Sequence, residues 1–241
     1  MPGMTLPALP EEFQRVLCVV AHPDDMEYGL SSAVARWTAN GIEVGYLLLT
    51  RGEAGMPNPP EETARLRFLE QQAACAAVGV EHLTVLEHPD GVLVYGLDLR
   101  RDICREIRRF KPDVVLGQSF DVETPWGFDQ ADHRAVGLAT LDAVRDAGNR
   151  WVFPDQGEPH SPRWYLTPAF ANPTHGVDVT GEPLRRGVAS LEAHSAYLAA
   201  LPGHPAPADF IPKFAAMGGE AMGVEHAVLF RAHDLQARPE L

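Results

Sequence analysis

The sequence predicts an α/β protein: a Rossmann-like, mostly parallel sheet flanked by helices, with a less regular C-terminal elaboration. Short apolar segments alternate with helical patterns, and this alternation is typical of consecutive βαβ units. The first apolar segment, residues 16–20, consists of five consecutive apolar residues and indicates a strand buried on both faces. No self-similar period occurs that would indicate a repeat fold.

Short connections join the elements of the predicted α/β layer, which covers residues 15–153. Gly41 and Gly79 each follow a helical segment, where glycine favours termination, and Pro112 ends a third helix. The expected strands are residues 16–20, 43–50, 82–87, 113–118 and 150–153, and the expected helices are residues 30–40, 61–78, 97–110 and 131–147.

The pattern changes from Pro154 onward, where proline and glycine separate shorter segments. We expect residues 154–241 to pack on the α/β layer without an independent linker, so that residues 1–241 form a single domain. The segments expected there are β-like pieces at 163–170 and 176–179, helices at 183–201 and 208–217, and an apolar run at 225–231.

Charge and cysteine content exclude several functional classes. The net charge of −13 argues against nucleic acid or an anionic membrane surface as a partner. The three cysteines form no CxxC motif, which argues against a disulfide framework and a thiolate zinc site. No basic leader with an apolar core opens the chain, and no apolar run approaches about 18 residues. We therefore expect a cytoplasmic protein that acts on a small molecule.

An imidazole and two carboxylates, His22, Asp24 and Asp25, directly follow the first strand. In open α/β sheets ligands bind beyond the carboxyl ends of the strands, which is where these side chains should lie. A solvated acidic turn with a helix-capping aspartate is one interpretation. A dinucleotide site is excluded, because no G-x-G-x-x-G follows the strand and carboxylates would repel a pyrophosphate.

Two other interpretations require a metal ion. A phospho-accepting signalling domain would use the acidic pair for Mg²⁺, but Lys111 and Lys213, the only lysines, are poorly placed for it. The second of these interpretations is a site for a metal such as zinc, which accepts both imidazole and carboxylate ligands. His22 and Asp25 are three residues apart and can converge on such an ion in a turn. The third ligand would come from Asp132-His133, at the start of the helix that follows the fourth strand.

Several motifs in order resemble the PIG-L/LmbE family of zinc-dependent N-deacetylases. The first, Ala21-His22-Pro23-Asp24-Asp25, resembles the signature of that family, and the resemblance extends over roughly residues 15–200. The further matches are Leu49-Thr50-Arg51-Gly52-Glu53, Arg67-x-x-Glu70 with Val78-Gly79, Asp90-Gly91, Asp132-His133-Arg134-Ala135-Val136-Gly137 and, less specifically, Ala193-His194-Ser195.

The resemblance implies a zinc site formed by His22, Asp25 and His133, with Fe²⁺ as an alternative ion. Asp24 would be the general base that activates water, and Arg67 would contact a polar group of the substrate. The implied activity is removal of an acetyl group from an N-acylated amine, most plausibly an N-acetylated amino sugar or its conjugate. Association into a homo-oligomer is expected only by analogy with the family.

Two positions depart from the family pattern. Met26 replaces a glutamate, and Gln130 replaces the first histidine of the H-P-D-H motif. Gln130 can donate a hydrogen bond to an oxyanion but cannot act as an acid. Two alternatives therefore stay open: an amidase for a thiol conjugate or natural product, and a metal-containing binding protein with weakened catalysis.

Arg51, Asp90 and Trp126 complete the candidates for substrate binding. Arg51 could instead pair with Glu53 in its own loop, and Trp126 could be buried beneath the loop that carries it. His194 lies in a segment of Ala, Leu and Tyr residues, a setting more typical of a packed core histidine than of a site residue.

Overall fold

The computed structural model describes residues 5–125, 127–169 and 171–237. Strands and helices within these ranges are numbered separately along the chain. In order they are β1 (Arg15–Val20), α1 (Ser31–Ala39), β2 (Glu43–Leu48), α2 (Pro60–Val78), β3 (His82–Val85), α3 (Leu97–Phe110), β4 (Val114–Gly117), β5 (Glu123–Thr124), β6 (Gly127–Phe128), α4 (Ala131–Gly148), β7 (Trp164–Pro168), β8 (His175–Asp178), α5 (Glu182–Glu192), α6 (Ser195–Ala199), α7 (Pro207–Met222) and β9 (Ala227–Asp234).

One seven-stranded sheet has the order β3-β2-β1-β4-β7-β9-β8. The first five strands in this order run parallel to one another, and β9 is antiparallel to both β7 and β8. Strand β1 is buried on both faces, since Val16 and Cys18 belong to one core cluster and Leu17 and Val19 to the other. The predicted fold class and the two-sided burial of the first strand are therefore confirmed.

Helices cover both faces of this sheet. The core on one face includes side chains from α1, α2, α5 and α7, and the core on the other includes side chains from α3 and α4. Helix α2 ends at Gly79, whose φ of +78° is a conformation that glycine adopts without steric cost. No helix in the described part of the chain is long and apolar enough to cross a membrane.

The chain leaves β1 towards β2 on one side, while β4 lies on the other side of β1. This reversal of strand order opens a crevice at the carboxyl ends of β1 and β4, which is the usual ligand position in such sheets. The loop after β1 and the N-terminus of α4 both lie at this edge.

The residues after Pro154 extend the same sheet through β7, β9 and β8. The single helix expected over 183–201 is wrong, because the chain divides at His194 into α5 and α6. The Glu70 carboxylate accepts the N–H groups of Ala196 and Tyr197 and so caps a new helix there. The single-domain assignment of residues 1–241 stays a prediction.

The strand expected at 150–153 is also wrong. These residues form turns, and the Trp151 side chain is 83% exposed. The backbone carbonyls of Val152 and Phe153 accept hydrogen bonds from the buried guanidinium of Arg108, which satisfies them without a neighbouring strand.

Candidate metal centre

The loop after β1 folds into a tight turn at the carboxyl edge of the sheet. Asp25 Oδ2 accepts the backbone N–H of His22 at 2.7 Å, and the Asp24 carbonyl accepts the N–H of Glu27 at 2.8 Å. Asp24 itself has a φ of +87°, a region that non-glycine residues rarely occupy. This turn directs His22 and Asp25 towards the start of α4.

His22, Asp25 and His133 converge at this edge of the sheet. His22 Nδ1 lies 3.6 Å from Asp25 Oδ2, and His133 Nε2 lies 3.1 Å from Asp25 Oδ1. One ligand atom from each of the three residues lies within 4.8 Å of the others, so a single ion could contact all three. The carboxylate and both imidazoles are largely buried.

The His133 Nε2 atom independently fits the role of a metal ligand. It is buried and makes no hydrogen bond within the described residues, because its approach to Asp25 lacks hydrogen-bond geometry. The opposite nitrogen, Nδ1, lies 2.7 Å from Asp129 Oδ1. Because Asp129 accepts the hydrogen bond from Nδ1–H, Nε2 can act as the atom that coordinates a metal ion. This is the usual arrangement for a metal-binding histidine.

Carboxylates also hold His22, through the ring nitrogen Nε2 that does not face Asp25. Its Nε2 lies 3.0 Å from Asp90 Oδ1 and 3.3 Å from Asp132 Oδ2. These three residues form a second group with metal-binding spacing. The Asp132 carboxylate already accepts the N–H groups of Gly91 and Leu93, so we interpret this group as the support of His22.

The carboxylates shift the pKa values of both imidazoles. Burial alone would lower the pKa of His22. The negative charge of Asp25 and hydrogen bonds to the neighbouring carboxylates outweigh the effect of burial and raise the pKa of His22 to about 12. His133 responds in the same way, and its pKa rises to about 10. The pKa of Asp25 is lowered despite its burial, because two imidazoles face it. A divalent cation would replace the imidazole protons in balancing this negative charge.

Asp24 lies beside the three candidate ligands, and its side chain is 6% exposed. Burial raises its pKa to about 7, although the Arg67 guanidinium 3.1 Å away favours the charged form. The Tyr197 side chain also hydrogen-bonds to the carboxylate. A carboxyl group with a pKa near neutrality can both take up and release a proton.

Arg67, a candidate for substrate binding, is 2% exposed. Its guanidinium donates to the carbonyls of Gly52 and Pro23, and it lies 4.1 Å from the centre of the Tyr197 ring. The structure therefore places Arg67 behind Asp24 as its ionic partner. A contact between Arg67 and substrate stays a prediction.

The other candidates lie around the site. Gln130 is exposed at the N-cap of α4, and Trp126 lies outside the described residues. Arg51 is exposed and pairs with Glu87 at 3.6 Å. The alternative pairing of Arg51 with Glu53 is wrong, because the Glu53 carboxylate accepts the N–H of Asp90 instead.

Four residues at the site were given no individual role in the sequence analysis. Asp129 precedes His133 by one helical turn, and that i,i+4 spacing could have identified it. Asp132 appeared only as part of the DH motif. Gln71 and Tyr197 reach Asp24 from α2 and α6, and no local pattern indicates their contacts. His194 is fully buried, as the core interpretation predicts.

Sequence comparison identifies a family and several relatives. The family model described as PIG-L, GlcNAc-PI de-N-acetylase, matches residues 17–144, just over half of the 241 residues. A diacetylchitobiose deacetylase of Thermococcus kodakarensis is 33% identical over 142 residues. The match covers 57% of this chain and 51% of that protein, so the chain spans about half of that relative's length.

Structural comparison supports the fold. N,N'-diacetylchitobiose deacetylase from Pyrococcus horikoshii superposes with a TM-score of 0.82 at 22% identity, covering 93% of this chain and 85% of that one. A 4-carboxy-2-hydroxymuconate hydratase from a Pseudomonas strain superposes with a TM-score of 0.74 at 15% identity, covering 95% and 99%. Since proteins named for different reactions share this fold, the activity has to be argued from the site.

Proposed function

This chain belongs to the PIG-L family, and on that premise we propose that it hydrolyses the amide of an N-acetylated amino sugar or its conjugate. The convergence of His22, Asp25 and His133 beside the buried carboxyl group of Asp24 carries the proposal. Several relatives are deacetylases of N-acetylated sugars, which supports the substrate class.

The proposed resident ion is zinc, with Fe²⁺ as the alternative. Two imidazole nitrogens and one carboxylate oxygen form a donor set that zinc accepts at catalytic sites, and the unpartnered Nε2 of His133 fits such a role. When bound, the ion supplies Lewis-acid chemistry that polarises the amide carbonyl and acidifies water.

Asp24 performs the proton transfers in this proposal. It takes a proton from water as the oxygen–carbon bond forms at the acyl carbon. It then donates that proton to the amine nitrogen as the carbon–nitrogen bond breaks, which yields acetate and a free amine. Arg67 holds the carboxylate in place through their ion pair.

Gln130 is the proposed hydrogen-bond donor to the oxyanion. It is exposed at the N-cap of α4 and its side chain makes no capping hydrogen bond, which leaves the carboxamide available. A neutral donor can stabilise developing negative charge without supplying a proton. Arg51 and Trp126 remain the proposed contacts for the rest of a small-molecule substrate, whereas the Asp90 carboxylate is occupied by His22 and by the N–H of Ala54.

Acetate release tests the proposal. The zinc-loaded protein is incubated with N-acetylglucosamine and diacetylchitobiose, beside Asp24→Asn and the control Asp98→Asn on the exposed face of α3. We expect Asp24→Asn to lower kcat by about 10²–10⁴-fold and Asp98→Asn to leave it unchanged. Unchanged turnover in Asp24→Asn would remove the assigned base, and no acetate from either substrate would contradict the substrate class.

A further inference from the structure

The peptide unit between Pro23 and Asp24 is bound at both ends by side chains from helix α2. Its carbonyl accepts a hydrogen bond from Nη2 of Arg67, and its N–H donates to Oε1 of Gln71 at 3.1 Å. Arg67 and Gln71 are four residues apart and therefore lie on the same face of the helix. Both are almost completely buried, at 2% and 1% exposure.

This binding bears directly on the backbone conformation of Asp24. Its φ of +87° is unfavourable for a residue with a side chain and persists only where neighbouring groups enforce it. Rotation of the Pro23–Asp24 peptide plane would break the hydrogen bonds to Arg67 and Gln71 together. A relaxation of the φ of Asp24 that is not compensated at Pro23 would also turn the Cα–Cβ bond of Asp24 and move its carboxylate away from its position beside His22 and Asp25.

Glu27 determines which end of the Gln71 carboxamide faces Asp24. Glu27 Oε1 accepts a hydrogen bond from Gln71 Nε2 at 3.1 Å, which leaves Oε1 of Gln71 for the Asp24 N–H. If the amide were reversed, two N–H groups would face each other in a buried position. Glu27 is itself 1% exposed, so the chain of hydrogen bonds from Glu27 to Asp24 is shielded from water.

We propose that Gln71, oriented by Glu27, is a positioning residue that locks the Pro23–Asp24 peptide plane and so holds the Asp24 carboxylate in its working orientation. The inference rests on the proposed function in one respect, the assignment of Asp24 as the base. Gln71 does not touch the reacting atoms and acts only through Asp24.

The first experiment compares Gln71→Met with Gln72→Met, an exposed neighbour on the same helix. Methionine preserves the approximate volume but removes the hydrogen-bond acceptor. We expect Gln71→Met to lower kcat by about 10–100-fold, with KM and zinc content close to those of the wild type. Gln72→Met should match the wild type in all three quantities. A wild-type kcat in Gln71→Met would overturn the inference.

A pair of exchanged residues provides the rescue. Gln71→Glu combined with Glu27→Gln restores both hydrogen bonds with the carboxylate and the carboxamide in swapped positions. The double variant should recover most of the kcat that Gln71→Met loses, whereas Gln71→Glu alone places two carboxyl groups together and should recover less. If Gln71→Met fails to fold, the double variant decides: recovery supports the inference, and an inactive folded double variant overturns it.

Hydrogen exchange of the Asp24 amide separates this inference from the proposed function, because it requires no substrate. We expect exchange to be at least about tenfold faster in Gln71→Met than in the wild type and slow again in the double variant. Faster exchange in Gln71→Met, in a protein that releases no acetate, would support the peptide lock and contradict the proposed function. Unchanged exchange in Gln71→Met would overturn the lock.

Discussion

The Nε2 atom of His133 lies 3.1 Å from the Oδ1 atom of Asp25, and the two groups face each other as a buried charged pair. One residue comes from the N-terminal turn of α4 and the other from the loop after β1. Both groups are largely buried, and the second imidazole, that of His22, lies on the other oxygen of the same carboxylate. A single cation could contact both of these atoms and His22 as well.

Asp129→Asn should weaken metal binding. The carboxylate holds the Nδ1 side of the His133 ring at 2.7 Å, so that Nε2 faces Asp25. Loss of such a supporting carboxylate typically lowers metal affinity by about 10–100-fold. Competition with a chromophoric chelator measures the zinc dissociation constant, and Asp98→Asn serves as the control. Equal affinities in Asp129→Asn and the wild type would show that the ring orientation is fixed by other contacts.

Arg67→Met should destabilise the fold through Asp24. The guanidinium lies 3.1 Å from the Asp24 carboxylate, and both side chains are buried. We expect the unfolding free energy to fall by about 2–3 kcal/mol, because a buried carboxyl group loses its partner but can take up a proton. Urea unfolding of the metal-free protein measures this loss.

Two further variants test whether the loss of stability in Arg67→Met arises from its ion pair with Asp24. Arg65→Met, which removes an exposed arginine from the same helix, should change the unfolding free energy by no more than about 0.5 kcal/mol. Adding Asp24→Asn to Arg67→Met should cost less than it does in the wild type, since no ion pair remains to be broken. Strictly additive losses would argue against an energetic link between Arg67 and Asp24.

Gln130→Ala should lower kcat by about tenfold or more while KM changes little, because the carboxamide is proposed to contact the oxyanion only in the transition state. Gln130→His should retain turnover, since histidine also donates a hydrogen bond. Steady-state kinetics of acetate release measure both variants. A fall in kcat/KM that arises entirely from KM would assign Gln130 to substrate binding instead.

His194 should make stability depend on pH. Burial and the Arg67 charge lower the pKa of His194 to about 3, whereas the unfolded imidazole titrates near 6.5. The unfolded state therefore binds more protons below pH 6.5, and the contribution of His194 to stability is lost as the pH falls from 6.5 towards 3. Between about pH 6 and pH 4 this contribution changes by up to about 1.4 kcal/mol per pH unit.

The difference between wild type and His194→Phe isolates this dependence. Glu27, 3.8 Å from His194, opposes it, because burial raises the pKa of Glu27 to about 8 and its contribution is lost as the pH rises from about 4.5 to 8. Measured at pH 6, 5 and 4, the unfolding free energy of the wild type minus that of His194→Phe should decrease as the pH falls. His233→Phe, on an exposed position of β9, should run parallel to the wild type; a parallel His194→Phe curve would contradict the lowered pKa.

The convergence of the candidate metal ligands can be explained by topology. Parallel strands bring their carboxyl ends to one edge, so His22 after β1 and His133 after β4 had to approach each other. Side-chain partners between distant segments carry no such periodic signal. The contact of Asp90 with His22 and that of Gln71 with Asp24 depend on how loops and helices pack, and they became visible only in three dimensions.

The two wrong secondary-structure predictions have the same origin. The 150–153 segment has the composition of a strand, but the guanidinium of Arg108 on α3 binds its carbonyls. The helical pattern over 183–201 is continuous, but the Glu70 carboxylate on α2 starts a second helix within it. In both segments a buried charged side chain from elsewhere in the chain overrides the local preference.

The zinc content of purified protein after dialysis is the most direct test of the proposed metal ligands. We predict about one zinc ion per chain in the wild type and in Asp98→Asn, and almost none in His22→Ala or His133→Ala, each of which removes one of three ligands. Circular dichroism should show that the variants remain folded. Full zinc retention in His133→Ala or His22→Ala would contradict the assigned metal centre and the mechanism built on it.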